Sequence, residues 1–358
     1  MNGSLGIQLA PWRRSDELVA AAEFLRDVVD VVWVQDQMLA RNVYVLLTAL
    51  ARAGCGVGTN VTYPIGRNPI EMASSLATIG ELLEHDRELV VGMGTGGALV
   101  GSLFETRGAV TAVREAIVLL RGLWCGDEVA LDELPALGRA LGYRPGAVAR
   151  LTFPVERPPA IVVAGVKPKI MRAAAELADG LICPSNLPTM SIGAFRSGRF
   201  GELSGIDAAR AARPPEAPPL RLLYGLNVCV SHDREAARAY ARRQVALVAG
   251  NPRLWPDLEA VGLDVESAAG VAEAFAAGLG VDGAAERVSQ ELADGLVVAG
   301  TPAECVEGMI ELRDLAAGYG FGEFYVGAPL GPDPLEAARI LCDDVIGEVW
   351  PERALSTR

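Results

Sequence analysis

Residues 56–97 read GVGTNVTYPIGRNPIEMASSLATIGELLEHDRELVVGMGTGG, and the rest of the chain takes its meaning from this stretch. Gly56 to Thr59 is short and small-residued, as a buried strand is. Asn60-Val61-Thr62-Tyr63-Pro64 breaks that pattern. Asn68 can then cap a helix, Pro69 suits its first position, and Glu71 falls where a capping box needs it. Leu89 to Val91 is the next strand, and Gly92, Gly94, Gly96 and Gly97 follow it. Two strand ends with unusual backbone, one βα unit apart, point to a ligand held between neighbouring loops.

Working outward, Gly6–Leu9 and Val31–Val34 read as the preceding strands, the second closed by Gln35-Asp36-Gln37. Asn42 caps a helix that turns Val43, Leu46, Leu47 and Leu50 inward. Downstream, strands are expected at Ile161–Ala164, Leu181–Cys183, Leu222–Val230 and Phe324–Val326, with helices between them and a terminal helix over Pro334–Val349. Eight apolar strands alternating with helices predict a parallel sheet. With no second strand-rich domain, that count favours an α/β architecture closed as a (β/α)8 TIM barrel over an open doubly wound sheet. The chain is read as one barrel domain over 1–358, with an insertion at 127–157, a Gly- and Pro-rich variable loop region at 184–220 and a helical extension at 250–300. The site is then expected at the strand C-termini: Gln8, Asp36, Asn60, Gly94 to Gly97, Gly165 and Ser185. The 184–220 region is expected to supply pocket walls.

Composition narrows the partners. Hydrophobic residues make up 51% of the 358, enough for a sizeable core. A formal charge of −13 argues against nucleic acid and against an anionic membrane surface, though not against a small anion in a local basic pocket. The six cysteines form no CxxC pair, and with only His85 and His232 beside them no zinc-type cluster can be drawn. Scattered thiols and the lack of a signal-like N-terminus fit a cytoplasmic protein. The uncharged run Leu89–Phe104 is short and glycine-rich for a membrane span.

Gly92 to Gly97 formally satisfies GxGxxG after a strand. A dinucleotide fold would place that motif in its first βαβ unit, and no acidic residue ends a following strand, so the glycines are read as allowing close approach to a flat ligand. Gly165-Val166-Lys167-Pro168-Lys169 precedes a helix, where free N–H groups favour an anion, and Arg172 adds charge. His85 and His232 lie in charged turns, and no Ser-His-Asp set is recognisable.

The runs Asp36-Gln37-Met38-Leu39-Ala40-Arg41-Asn42-Val43-Tyr44, Gly58 to Val61, Arg67-Asn68-Pro69 and Gly92 to Gly97 resemble the luciferase-like monooxygenase superfamily. They are most similar to its deazaflavin-dependent branch, typified by methylenetetrahydromethanopterin reductase. Ala164 to Lys169, Ala178-Asp179-Gly180 and Gly300-Thr301-Pro302 extend the resemblance along the chain. It implies a bacterial-luciferase-like barrel binding coenzyme F420, or alternatively FMN, and a non-prolyl cis peptide at Asn60-Val61. It places the reacting positions at Gln8, Asp36 and Gln37. The cofactor would rest on Asp36, Asn60, Val61, Thr62, Gly94, Thr95, Gly96, Gly97, Ala164, Gly165, Val166, Lys167 and Lys169. No metal is implied, and a homodimer acting on a small molecule is expected. Many relatives carry histidine where this chain has Gln37, the reductases carry glutamate where it has Gln8, and sugar-phosphate dehydrogenases carry an acid where it has Gly97. Glutamine can hydrogen-bond but cannot exchange a proton near neutral pH. Three readings follow: F420-dependent hydride transfer to or from an imine, enone or pterin-like substrate; an FMN monooxygenase fed by a partner reductase; or a flavin- or pterin-binding barrel without turnover.

Overall fold

The computed structural model describes residues 3–96 and 98–354. Eight strands follow one another in chain order: β1 Leu5–Leu9, β2 Val31–Val34, β3 Val57–Thr62, β4 Leu89–Met93, β5 Ala160–Ala164, β6 Gly180–Pro184, β7 Arg221–Val230 and β8 Glu323–Leu330. Each pairs in parallel with the next, and β8 returns to β1 with Phe324 opposite Leu5, closing the (β/α)8 barrel.

Side chains fill the barrel because alternate residues of each strand point inward. Val31, Trp33, Val90, Val162, Ile182, Leu223 and Tyr325 form this inner cluster. Trp33 is accommodated by two neighbours that lack side chains: a Cβ on Gly6 would lie 2.3 Å from its indole Nε1, and one on Gly58 2.6 Å from Cε3. The outward strand residues meet the helices. Val43, Leu46, Leu47 and Leu50 of helix Val43–Arg52 are all buried, as their spacing predicts, and each leucine contributes about 2 kcal/mol by leaving water. Asn42 accepts the Tyr44 and Val45 N–H groups, Asn68 accepts that of Ile70, and Thr301 with Glu304 completes a reciprocal capping box.

The N-terminal end of the barrel is tied by charge. Arg221 Nε lies 2.7 Å from Glu323 Oε1 while its Nη1 lies 2.7 Å from Glu88 Oε1, joining the entrances of β7, β8 and β4. That leaves the opposite rim for a ligand.

Between the strands the chain departs from regularity in three places. Residues 127–157 form a two-stranded ribbon, Val129–Ala130 with Val148–Ala149, and a helix Pro135–Leu141. The buried carboxylate of Glu115 accepts the first N–H groups of that helix, from Ala136 and Leu137. The 184–220 region contains three short helices, Ile192–Arg196, Phe200–Ser204 and Ile206–Ala211. They gather around the stacked rings of Phe195 and Phe200, 3.9 Å apart, with Tyr224, Tyr319 and Phe321 nearby. The 250–300 segment is helical as far as Asp294 and then adds an unanticipated strand, Val298–Gly300, parallel to Val228–Val230. Three small residues carry too little pattern to be read as a strand. The terminal helix is interrupted by a π turn over Leu341–Val345. Among the described residues no helix is long and apolar enough to cross a membrane.

Candidate active site

Pairing of β3 with β4 slips where the sequence pattern breaks. Thr59 faces Val91 and Thr62 faces Met93, so Asn60 and Val61 together oppose the single residue Gly92. This is a bulge of the kind that re-aims side chains beside a site. The Asn60–Val61 peptide within it is cis, as the resemblance implies.

The bulge forms one wall of a cavity of about 500 Å³, lined by Gln35, Asp36, Gln37, Asn60, Val61, Tyr63, Gly94, Thr95, Gly96, Val100, Ala164, Gly165, Pro184 and Leu187. It therefore gathers the ends of β2, β3, β4, β5 and β6. A Cβ on Gly94 would approach Val61 Cγ2 to 3.0 Å and the Ala164 carbonyl to 3.7 Å, so a side chain there would narrow the slot. Gly96 adopts a φ of 84°, a conformation that glycine takes without strain. Asn60 Nδ2 is buried and meets no acceptor of good hydrogen-bond geometry among the described residues. Its side chain interacts with the Tyr325 hydroxyl, whose pKa burial raises well above the ordinary tyrosine value.

Two of the three expected reacting side chains are engaged by protein partners. Gln8 does not line the cavity. It is buried behind the bulge, where Nε2 donates to the Asn60 carbonyl (3.1 Å) and Oε1 accepts from Ala328 N–H (3.2 Å). The carboxylate of Asp36 is fully buried and accepts from Arg67 Nη2 (2.7 Å), Arg67 Nε (3.1 Å) and the Thr62 hydroxyl (2.7 Å). Thr62 is thereby turned to Asp36, not to the cavity. Tyr63 donates its hydroxyl to the Asp36 carbonyl at 3.0 Å, and burial, with the Asp36 charge, pushes its pKa up to about 12. Gln37 does line the cavity. Ser185 is buried, its Oγ accepting from Asn227 N–H (2.8 Å), while Asn227 Nδ2 donates to the Ala328 carbonyl (2.5 Å).

A second cavity, about 730 Å³, adjoins the first through Thr95 and Gly96. Lys169 and Arg253 line it, with Thr106, Thr111 and Asn251. Lys167 does not join them: Nζ pairs with Asp257 at 3.0 Å, and its side chain is 65% exposed. Val166 is half-buried and lines neither cavity. Gly97 lies outside the described residues. The sequence reading missed Gln35, Tyr63, Val100, Pro184 and Leu187 as lining residues. The last two come from the expected wall region 184–220, whereas its three helices pack away around their own aromatic cluster. Among the described residues no group of three His, Cys, Asp or Glu is placed to hold a metal ion.

The fold and the site define a closed (β/α)8 barrel with a bulged third strand and a cleft across strands two to six. Residues 3–318 match the luciferase-like monooxygenase family, and the chain belongs to it. The chain is 29% identical to the 5,10-methylenetetrahydromethanopterin reductase of Archaeoglobus fulgidus over 355 residues, covering 95% of this chain and 98% of that protein. It is 31% identical to the F420-dependent glucose-6-phosphate dehydrogenase of Kineococcus radiotolerans over 220 residues, 54% of this chain and 61% of that one. The coenzyme F420-dependent tetrahydromethanopterin reductase of Methanopyrus kandleri has a similar fold, with a TM-score of 0.76 at 22% identity, covering 98% of this chain and 100% of that one.

Proposed function

We propose that the chain is an F420-dependent oxidoreductase that moves a hydride between the cofactor and a small organic substrate of the imine, enone or pterin-like kind. The observation that carries this reading is the end-to-end match to a methylenetetrahydromethanopterin reductase, with the match to an F420-dependent dehydrogenase pointing to the same cofactor. The cleft fits a flat, hydrogen-bonding ligand. Gly94 keeps the slot open, and Asn60 Nδ2, buried beside the Tyr325 hydroxyl, meets no acceptor of good hydrogen-bond geometry among the described residues. Bound there, F420 would supply the hydride-carrying ring. In this reading the Asn60–Val61 bulge backs the ring, Gly94 to Gly96 and Ala164–Gly165 flank it, and its anionic extension runs toward Lys169 and Arg253 in the adjoining cavity. Lys167, paired with Asp257, takes no part.

The lining also bears on the substrate. Asp36 has both oxygens engaged, Tyr63 remains protonated at neutral pH, and Gln37 can donate a hydrogen bond without giving up a proton. Such a wall suits a hydride acceptor that is already cationic or strongly polarised, so most of the acceleration would come from holding two planes together.

Absorbance and fluorescence titrations with F420 and with FMN test the reading. F420 binding with no FMN binding is expected, and it eliminates the monooxygenase alternative. Binding of neither overturns both enzymatic readings. Hydride transfer to one member of an imine, enone and pterin set then separates an enzyme from a barrel that merely binds.

A further inference from the structure

The bulge that backs the proposed cofactor is not held by the sheet. Between the Thr59–Val91 and Thr62–Met93 pairs, Asn60 and Val61 have no ladder partners of their own. A segment released from the ladder needs other contacts to fix it. On one side Gln8 holds the Asn60 carbonyl. On the other, Thr62 is held through Asp36, and Asp36 is held by Arg67.

We infer that Arg67 is the positioning residue of this wall. It rests on a short turn after β3, with its own N–H donated to the Tyr63 carbonyl at 3.0 Å. Its guanidinium grips both oxygens of Asp36 as a fork, a geometry that fixes angle as well as distance. Asp36 accepts the Thr62 hydroxyl, and the Thr62 carbonyl accepts Gly94 N–H at 2.9 Å. One chain of bonds thus runs from Arg67 to both walls of the slot, Val61 and Gly94. The Arg67 guanidinium lies over the Tyr44 ring, 5.7 Å from its centroid, and Tyr44 Oη is 3.5 Å from Thr62 Oγ1. The turn leaves little freedom, since a Cβ on Gly66 would come within 2.5 Å of the Tyr63 ring and 2.9 Å of Met38 Sδ. Arg67 does not line the cavity, so it acts through Asp36 and Thr62 and touches no ligand.

This inference rests on the proposed cofactor reading for its catalytic consequence, but not for its structural one. The test compares wild type with Arg67→Lys, which keeps the charge and loses the fork, and with Arg67→Met. Hydrogen exchange is followed at the amides of residues 60–63 in ligand-free protein, alongside thermal midpoint, F420 affinity and turnover. Arg67→Lys should exchange faster at 60–63 while the midpoint holds near wild type. Its turnover should fall by about a hundredfold, the loss that a wall displaced by about an ångström brings. Wild-type exchange at 60–63 in Arg67→Lys overturns the inference. Losses that merely track the melting temperature across both variants also overturn it. If wild type binds no F420, the function reading fails by itself and the exchange comparison still decides the role of Arg67.

Discussion

Gln8→Glu puts an acid back at the position where the family's reductases carry one, and the structure predicts a pH-dependent penalty for it. Gln8 is 7% exposed and works both as donor, to the Asn60 carbonyl at 3.1 Å, and as acceptor, from Ala328 N–H at 3.2 Å. A carboxylate can accept from Ala328, but it would also set a negative oxygen against the Asn60 carbonyl. Only the protonated acid reproduces both bonds. The introduced carboxyl should therefore titrate well above the ordinary value of about 4.3, and a rise of about two pH units is worth about 2.7 kcal/mol. The sign follows from proton uptake. Above the unfolded pKa the folded state holds the proton more tightly, so stability is highest in acid and falls as pH rises through the folded pKa. Relative to wild type, the variant should lose about 1.7 kcal/mol between pH 5 and pH 8, the rest of the roughly 2.7 kcal/mol being lost below pH 5. Gln8→Leu leaves the Asn60 carbonyl and the Ala328 N–H unpaired and should lose about 2–4 kcal/mol at every pH. Urea unfolding followed by tryptophan fluorescence across that range measures both variants. If Gln8→Glu shows the same pH dependence as wild type, the two-bond clamp is refuted.

Gly94→Ala should weaken binding of a planar cofactor about tenfold while leaving the melting temperature nearly unchanged, because its Cβ would sit 3.0 Å from Val61 Cγ2 inside the slot; fluorescence titration and a thermal melt check the pair. Arg221→Met should cost about 2 kcal/mol, since Glu88 and Glu323 lose their shared cation at the barrel base, and calorimetry reads this directly. Lys167→Ala should change stability by less than about 1 kcal/mol, its partner Asp257 being held by a well-exposed ammonium. Ellman's reagent at pH 8 should label Cys125 in native protein and reach Cys55, Cys183, Cys229 and Cys305 only after unfolding. Burial pushes Cys183 up to about 12 and Cys55 up to about 11, so these thiols are both inaccessible and protonated.

The barrel was readable because its strands are short apolar runs set off by caps and prolines. All eight expected strands are present, and Asn42, Asn68 and Thr301 cap where the sequence places them. What escaped was partnership at long range. Nothing in the run Tyr63 to Arg67 announces that Arg67 reaches back across β2 to Asp36, or that Gln8 answers a carbonyl 52 residues away. Gln8 and Asp36 carry reacting roles only in what the resemblance implies; in the structure their side chains are hydrogen-bonded to the bulge and its neighbours. The 184–220 region reads as a variable loop because its glycines and prolines punctuate helices of five or six residues, too short for the 3.6-residue period to emerge. Asn60–Val61 was legible through the resemblance alone, since neither side chain demands a cis bond.

The indole of Trp33 and the two glycines that face it also impose an order on descent. Alanine at position 6 or 58 would meet the ring at 2.3 Å or 2.6 Å, so neither can enter while the tryptophan remains. The ring can shrink first, leaving a hole that costs about 3–5 kcal/mol in a well-packed core. Even then a methyl group at either glycine sits 2.9 Å from the Val31 carbonyl or 2.8 Å from that of Val90, closer than side chains settle without backbone movement. Related sequences should therefore vary at 33 before they vary at 6 or 58, and the glycines should outlast the ring that made them necessary.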